Sequence, residues 1–218
     1  MKNKTICFIG LDGSGKSTSV DFAYDTLKAR GVKVKKVRAA YVIKVMSAFI
    51  KLGKKLVMKK ESDPFSADYE AYLENMRKQS EKKGVYKIFT FMTTIEFWCQ
   101  IFFSITLNKL FGYTLLVDRY IYDNAVTYAA NLGKDTSFLR NTIEKKWKRA
   151  PKPDLIIYIK TDVATCLSRK DDIPHPLYLT LREPLYGEIA QMYGAKVISG
   201  DIDKEQMLNQ VMEAIDNL

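Results

Sequence analysis

The 218-residue chain has little cysteine, one histidine and no long apolar run, and each shortage narrows the classes of protein to which it can belong. Its three cysteines, Cys7, Cys99 and Cys166, are far apart and lack metal-binding spacing. This argues against a disulfide framework or a zinc site and favours a reducing cytoplasm. The longest apolar stretch, around residues 95–107, is too short to span a bilayer and predicts a buried helix.

The chain also lacks a linker rich in proline, glycine or serine. With 47% hydrophobic residues it can bury one substantial core, so we expect a single domain over residues 1–218. Acidic residues are outnumbered, and the formal net charge is +10. That charge suits a protein that handles polyphosphate, and it equally permits nucleic acid or an anionic membrane as a partner.

The strongest motif is a phosphate-binding loop near the start of the chain. It follows the apolar run 6–9, precedes a helical pattern and fits G-x-x-x-x-G-K-[ST]. The candidate nucleotide-binding residues of this loop are Gly10, Gly13, Ser14, Gly15, Lys16, Ser17 and Thr18. The loop therefore predicts a bound nucleoside triphosphate.

Each residue type in the loop has a physical purpose. The glycines permit turns that a side chain would obstruct, so that successive N–H groups point at one phosphate. The helix that begins near Lys16 adds free N–H groups and the positive end of its dipole. Lys16 reaches the β- and γ-phosphates, and Ser17 ligates Mg²⁺. The loop alone does not choose among kinase, GTPase, motor and transporter ATPase.

Two further predicted strands end in charged residues. The buried strand 113–117 leads to Asp118 and Arg119, and the strand 32–37 leads to Arg38. Because ligands bind beyond the carboxyl ends of parallel strands, we expect Asp118 to hold Mg²⁺ through water and Arg119 to meet the transferring or accepting phosphate. Arg38 either holds an acceptor phosphate by a bidentate contact or is a solvent-exposed cation.

The alternation of strands and helices along the chain predicts an α/β fold. Further strands at residues 155–159 and 196–198 are separated by helical patterns, and a helical pattern closes the chain. Such alternation favours a central parallel sheet with helices on both faces, in three layers.

Two stretches are candidates for contact with an acceptor. The aromatic-rich stretch 86–110 contains Glu96, Trp98 and Gln100, whose polar groups need partners; they line an acceptor pocket or belong to ordinary core packing. After a helix that ends near Arg169, a polar, proline-bearing segment predicts a lid over approximately residues 169–184. His175 is interpreted as a lid surface residue, because phosphoryl transfer needs no imidazole base.

The segment 44–60 carries six lysines and no acidic residue, interleaved with apolar residues. Two interpretations remain open. A lysine-fringed helix in water is the commoner structure with this pattern. The alternative is a basic amphipathic segment that contacts a membrane, nucleic acid or another polyanion.

The chain resembles the thymidylate kinase family of nucleoside monophosphate kinases. Four blocks carry the resemblance: the loop 10–18, Asp118-Arg119-Tyr120, the segment 153–159 and the pattern from 181 to 215. The resemblance implies the three-layer P-loop kinase fold, ATP as phosphoryl donor, Mg²⁺, thymidylate or a similar nucleotide as acceptor, and a homodimer.

The resemblance also implies roles for single residues. Asp12 matches the loop carboxylate that approaches the acceptor's 3′-hydroxyl, Arg119 matches the arginine that grips the acceptor phosphate, and Asp118 matches the aspartate beside magnesium. Because the loop lacks an arginine that some members have, the resemblance places the catalytic cation in the lid, where Arg169 is the best match. Trp98 occupies the place at which the family usually has a base-reading arginine. A same-fold kinase with another acceptor and a P-loop ATPase or binding module remain the alternatives.

Overall fold

Five parallel strands form one sheet in this computed structural model, which describes residues 3–38, 68–81 and 84–218. The strands are β1 (Thr5–Gly10), β2 (Val34–Val37), β3 (Thr114–Asp118), β4 (Leu155–Lys160) and β5 (Lys196–Ser199). Their order in the sheet is β2-β3-β1-β4-β5, and every pairing is parallel. The predicted doubly wound α/β fold is therefore confirmed.

Helices connect the strands. They are α1 (Lys16–Ala29), α2 (Tyr69–Glu81), α3 (Val85–Ile101), α4 (Leu107–Leu110), α5 (Ile121–Leu132), α6 (Thr136–Asn141), α7 (Val163–Arg169), α8 (Pro176–Thr180), α9 (Glu183–Met192) and α10 (Lys204–Asp216). Two π-helical turns, Phe102–Thr106 and Thr142–Lys146, follow α3 and α6. Among these described helices, none combines the length and the apolar character that a bilayer crossing requires. The basic segment 44–60 lies outside the described residues.

The central strand β1 divides two apolar cores. All six of its residues are buried, as expected for a strand covered on both faces. Cys7 and Ile9 pack into the core on one face, whereas Ile6 and Phe8 pack into the core on the other. Because side chains alternate along a strand, this apolar run supplies both cores and fixes the phosphate loop at its carboxyl end.

The apolar stretch that predicted a buried helix is only half buried, so that prediction was wrong. Phe97 and Ile101 of α3 pack into the core, as does Ile105 of the following turn. The opposite side carries a set of large apolar side chains that are each exposed by 48% or more: Phe91, Ile95, Phe102, Phe103, Leu110 and Phe111. We call this set the apolar stripe. Helical periodicity cannot separate a face covered by the chain's own core from one that remains outside it.

Candidate functional site

The strand order brings the predicted site residues to one edge of the sheet. β1 lies between β3 and β4, and the register pairs Phe8 with Asp118. The phosphate loop therefore leaves β1 beside the carboxyl end of β3. Arg38, one residue beyond β2, shares a small pocket with Ser17 and Asp118.

The loop glycines adopt conformations that other residues rarely reach. The φ angles of Gly10, Gly13 and Gly15 are 144°, 87° and 99°. A Cβ atom at Gly10 would lie 2.5 Å from the carbonyl oxygen of Ile159, and one at Gly13 would lie 2.5 Å from that of Cys166. The loop thus packs directly against the backbone of β4 and α7, which is possible only without side chains.

Lys16 is the first residue of α1 and is buried. Its ammonium group donates to the carbonyl of Leu11 and lies 3.5 Å from Ser14 Oγ. Burial lowers the pKa of Lys16 from 10.5, and the negative charges of Asp123 and Asp118 oppose that shift. The ammonium is therefore held across its own loop, where phosphate oxygens are able to replace its neutral partners.

Ser17 and Asp118 together fit a hard divalent cation. Ser17 Oγ lies 3.4 Å from Asp118 Oδ2. Asp118 Oδ1 is buried and has no hydrogen-bond partner within the described chain, so it is free to accept a ligand. A hydroxyl and a carboxylate are the ligand types that Mg²⁺ prefers, the rest of its shell being water and phosphate oxygen. Among the residues described, no group of three or more His, Cys, Asp or Glu side chains forms a metal cluster.

Asp12 and Arg119 form an ion pair between the phosphate loop and the end of β3. Arg119 has a φ angle of 68°, the left-handed region that residues other than glycine seldom occupy. This turn directs its guanidinium back toward the loop. The second oxygen of the carboxylate, Asp12 Oδ2, accepts a hydrogen bond from the hydroxyl of Tyr178 at 3.0 Å.

Asp123 is a buried residue of the site that the sequence did not reveal. Its Oδ2 accepts from the backbone N–H of Tyr120 at 2.9 Å, and its Oδ1 accepts from the hydroxyl of Tyr186 at 2.8 Å. Burial raises its pKa above 3.8, while Arg119 opposes that shift. Asp123 therefore fixes the turn that follows Arg119. Tyrosine is not a usual N-cap, so no capping signal marked this position.

The lid stretch contains α8 and meets the loop through Tyr178, which the sequence also did not single out. The predicted lid residue Arg169 donates instead to the carbonyl of Gly200, beyond β5, at 3.0 Å. Its neighbour Lys170 pairs with Asp172 at 3.0 Å and lies close enough to Lys16 to lower the pKa of that lysine. The role of Arg169 in catalysis stays a prediction.

Trp98 lies at the margin of the core on α3. Its ring is 5.7 Å from that of Trp147, which is itself buried and lies edge-on to Phe97 at 4.6 Å. Trp98 is partly exposed, as are Glu96 and Gln100. The structure thus gives Trp98 a packing role, and its proposed contact with an acceptor stays a prediction.

Two known proteins that resemble this chain are kinases. No protein family model matches the chain. Over 160 residues, 73% of this chain and 65% of the relative, it is 28% identical to a probable thymidylate kinase of Archaeoglobus fulgidus. The match therefore spans slightly less than two thirds of that relative. A solved deoxyadenosine kinase from M. mycoides with bound dCTP aligns over 98% of this chain and 100% of its own, with a TM-score of 0.58 and 15% identity. The match to the probable thymidylate kinase confirms the resemblance that the sequence predicted, and the alignment with the deoxyadenosine kinase shows that the two chains share the three-layer α/β fold.

Proposed function

We propose that this chain transfers the γ-phosphoryl group of ATP to a nucleoside monophosphate, with thymidylate as the candidate acceptor, and releases ADP and a nucleoside diphosphate. One observation carries the proposal: the carboxylate of Asp12, at the tip of a phosphate loop, is paired with Arg119 at the end of the neighbouring strand. ATP hydrolysis needs no second phosphate site beside the donor, whereas phosphoryl transfer to a phosphorylated acceptor does. Asp12 and Arg119 suit a second, phosphorylated substrate that meets the donor end to end.

The donor side is formed by the loop and the start of α1. The loop amides and Lys16 bind the β- and γ-phosphates, and the buried lysine gains a partner of opposite charge when it does so. Ser17 and Asp118 are the residues that would hold Mg²⁺, which neutralises charge on the phosphate oxygens when bound. No covalent intermediate with the protein is required, because phosphoryl transfer is catalysed by positioning and charge stabilisation.

The acceptor side is formed by Arg119, Arg38 and Asp12. Arg119 binds the acceptor phosphate by a charge-assisted contact, and Arg38 approaches it from the end of β2. Asp12 accepts a hydrogen bond from a sugar hydroxyl of the acceptor. Trp98 is assigned to the nucleobase side of the pocket. Arg169 is assigned to the lid cation that stabilises the transferring phosphoryl group, which requires it to leave its contact with Gly200.

A panel of acceptors tests this function. ADP release is measured with nucleoside monophosphates, nucleosides and phosphorylated sugars, in the wild type and in Lys16→Ala. We expect a nucleoside monophosphate to stimulate ADP release and Lys16→Ala to abolish it. Stimulation by nucleosides alone would assign a nucleoside acceptor, the kind of substrate named for the deoxyadenosine kinase neighbour. ATP turnover that ignores every acceptor, with salt-sensitive polyanion binding, would instead support a P-loop ATPase or a binding module.

We further propose that the enzyme is a homodimer that pairs through the apolar stripe. The six exposed side chains leave on the order of 700 Å² of apolar surface on each copy. A standard protein–protein interface buries about 800 Å² per partner. Pairing of two apolar stripes would therefore supply most of the area of such an interface. A twofold axis makes the same surface serve on both copies.

The proposed activity requires ATP as the phosphoryl donor, and it fits the reducing cytoplasm expected from the sparse cysteines.

The oligomeric state is measured by light scattering on Phe103→Asp, which places a charge in the centre of the apolar stripe. We expect the wild type to be dimeric and this variant to be monomeric. Phe22→Asp is the matched control, because Phe22 is 36% exposed on α1 and lies outside the stripe. A monomeric wild type, or equal dissociation of both variants, would contradict the assignment.

A further inference from the structure

An aromatic side chain of the lid stretch makes a hydrogen bond to the phosphate loop. The hydroxyl of Tyr178 on α8 donates to Asp12 Oδ2 at 3.0 Å, while Arg119 donates to Asp12 Oδ1. One carboxylate is therefore fixed from two sides, by the end of β3 and by the lid. Each of its oxygens retains a lone pair for a further donor.

Tyr178 is itself held by Arg182. The guanidinium carbon of Arg182 lies 3.7 Å from the centroid of the Tyr178 ring. Its Nη1 donates to the carbonyl of Tyr178, and its Nη2 donates to Asn131 Oδ1 on α5, both at 2.8 Å. On the α2 side, the buried ring of Tyr69 meets Tyr178 edge-on at 6.3 Å. The position of the Tyr178 hydroxyl is thus determined by residues of α2 and α5 and by Arg182, which precedes α9.

Arg182 is unusual because it is a buried cation whose partners among the described residues are all neutral. It is 4% exposed, and its contacts in the described chain are a carbonyl, an amide oxygen and an aromatic ring. Its Nε has no hydrogen-bond partner in the part of the chain that the structure describes. Burial of a charge without a countercharge is costly, and the face of Tyr178 offsets part of that cost. The arrangement stabilises the tyrosine's orientation at some expense to the arginine.

We propose that Tyr178, clamped by Arg182, is a positioning residue that sets the acceptor specificity of this enzyme. The hydroxyl holds the Asp12 carboxylate so that its remaining lone pairs face a sugar hydroxyl of the acceptor. This inference rests on the proposed function and adds the residues that orient its acceptor site. Because Tyr178 lies in the lid, the phosphate loop and the lid together recognise the sugar of the acceptor.

The test compares Tyr178→Phe with the wild type on the most active acceptor of the panel and on its 3′-deoxy analogue. We expect the KM for the acceptor to rise about tenfold or more, because a hydrogen bond to a charged group is lost. The KM for ATP stays unchanged. The preference for the acceptor over its 3′-deoxy analogue falls by a similar factor, which a merely structural role would not produce. Arg182→Lys keeps the positive charge but loses the two guanidinium donors that bond the Tyr178 carbonyl and Asn131. We expect this variant to show the same rise in the acceptor KM and the same fall in preference.

Tyr193→Phe is the matched control. The Tyr193 hydroxyl is buried and makes no hydrogen bond to any described residue, so its removal leaves both KM values unchanged. An unchanged acceptor KM and an unchanged 3′-hydroxyl preference in Tyr178→Phe would overturn the inference while the kinase activity stands. A wild type that phosphorylates no member of the panel would overturn the proposed function, and this inference with it.

Discussion

Replacement of Gly10 by alanine tests whether the phosphate loop depends on direct contact with the sheet. Gly10 has a φ angle of 144°, outside the left-handed helical region that alanine tolerates at modest cost. An alanine Cβ would also lie 2.5 Å from the carbonyl oxygen of Ile159 and 3.0 Å from Ser14 Oγ. The carbonyl belongs to β4, which is paired on both sides and cannot move without disrupting the sheet.

Gly31→Ala separates the backbone strain from that contact. Gly31 has a φ angle of 76°, but a Cβ there would meet nothing within 4 Å. We expect Gly31→Ala to cost about 1 kcal/mol of unfolding free energy, for the left-handed conformation alone. Gly10→Ala combines a less accessible φ angle with a collision against backbone. We therefore expect this variant to lose about 3–5 kcal/mol of unfolding free energy. Single domains are stabilised by roughly 5–15 kcal/mol, so the second loss is severe.

Urea unfolding measures both variants, and ATP binding is measured on the same samples. We expect Gly31→Ala to bind ATP as the wild type does. Gly10→Ala displaces the loop amides, so its ATP affinity falls even where the protein remains folded. Equal unfolding midpoints and equal ATP affinities for the two variants would refute the reasoning.

Three further predictions concern the charged residues of the site. Arg119→Ala should lower kcat on the order of a thousandfold or more with the fold intact, and full turnover in a kinetic assay would remove Arg119 from the acceptor site. Lys170→Ala should raise the pKa of Lys16, because one positive charge near that ammonium is lost; chemical modification rates of Lys16 against pH measure the change. Burial raises the pKa of Asp123 above 3.8, so its contribution to stability is largest below that pH and is lost as the pH rises through the folded-state pKa. Asp123→Asn should remove this dependence, and urea unfolding of both proteins between about pH 4 and 7 would show parallel curves if the assignment were wrong.

Local patterns were sufficient for the phosphate loop and the sheet. The spacing of Gly10, Gly15 and Lys16 requires no knowledge of the rest of the chain, because the loop's contacts with phosphate come from its own backbone. Buried parallel strands appear as continuous apolar runs, so β1, β3 and β4 were also predicted, together with Asp118 and Arg119 at the end of β3. The confirmed fold follows from these elements.

Patterns failed where a residue's surroundings come from distant parts of the chain. The stretch 95–107 was expected to form a buried helix, but the apolar stripe remains exposed, since hydrophobicity does not say which element covers a face. No motif marked Tyr178, and Arg182 entered only as part of the block 181–215 that carries the family resemblance. Their importance depends on contacts with Asp12, 166 residues away from Tyr178, and with Asn131, 51 residues away from Arg182.

The sequence by itself determined that this chain folds around a parallel sheet and presents a phosphate loop at its edge, because both depend on short-range patterns of glycine and apolar residues. Only the tertiary structure decided which side chains surround Asp12 and that Arg169 turns toward Gly200. Hydrogen bonds and ion pairs act over a few ångströms in space whatever the separation along the chain. Their partners therefore become known only when the elements have been packed together.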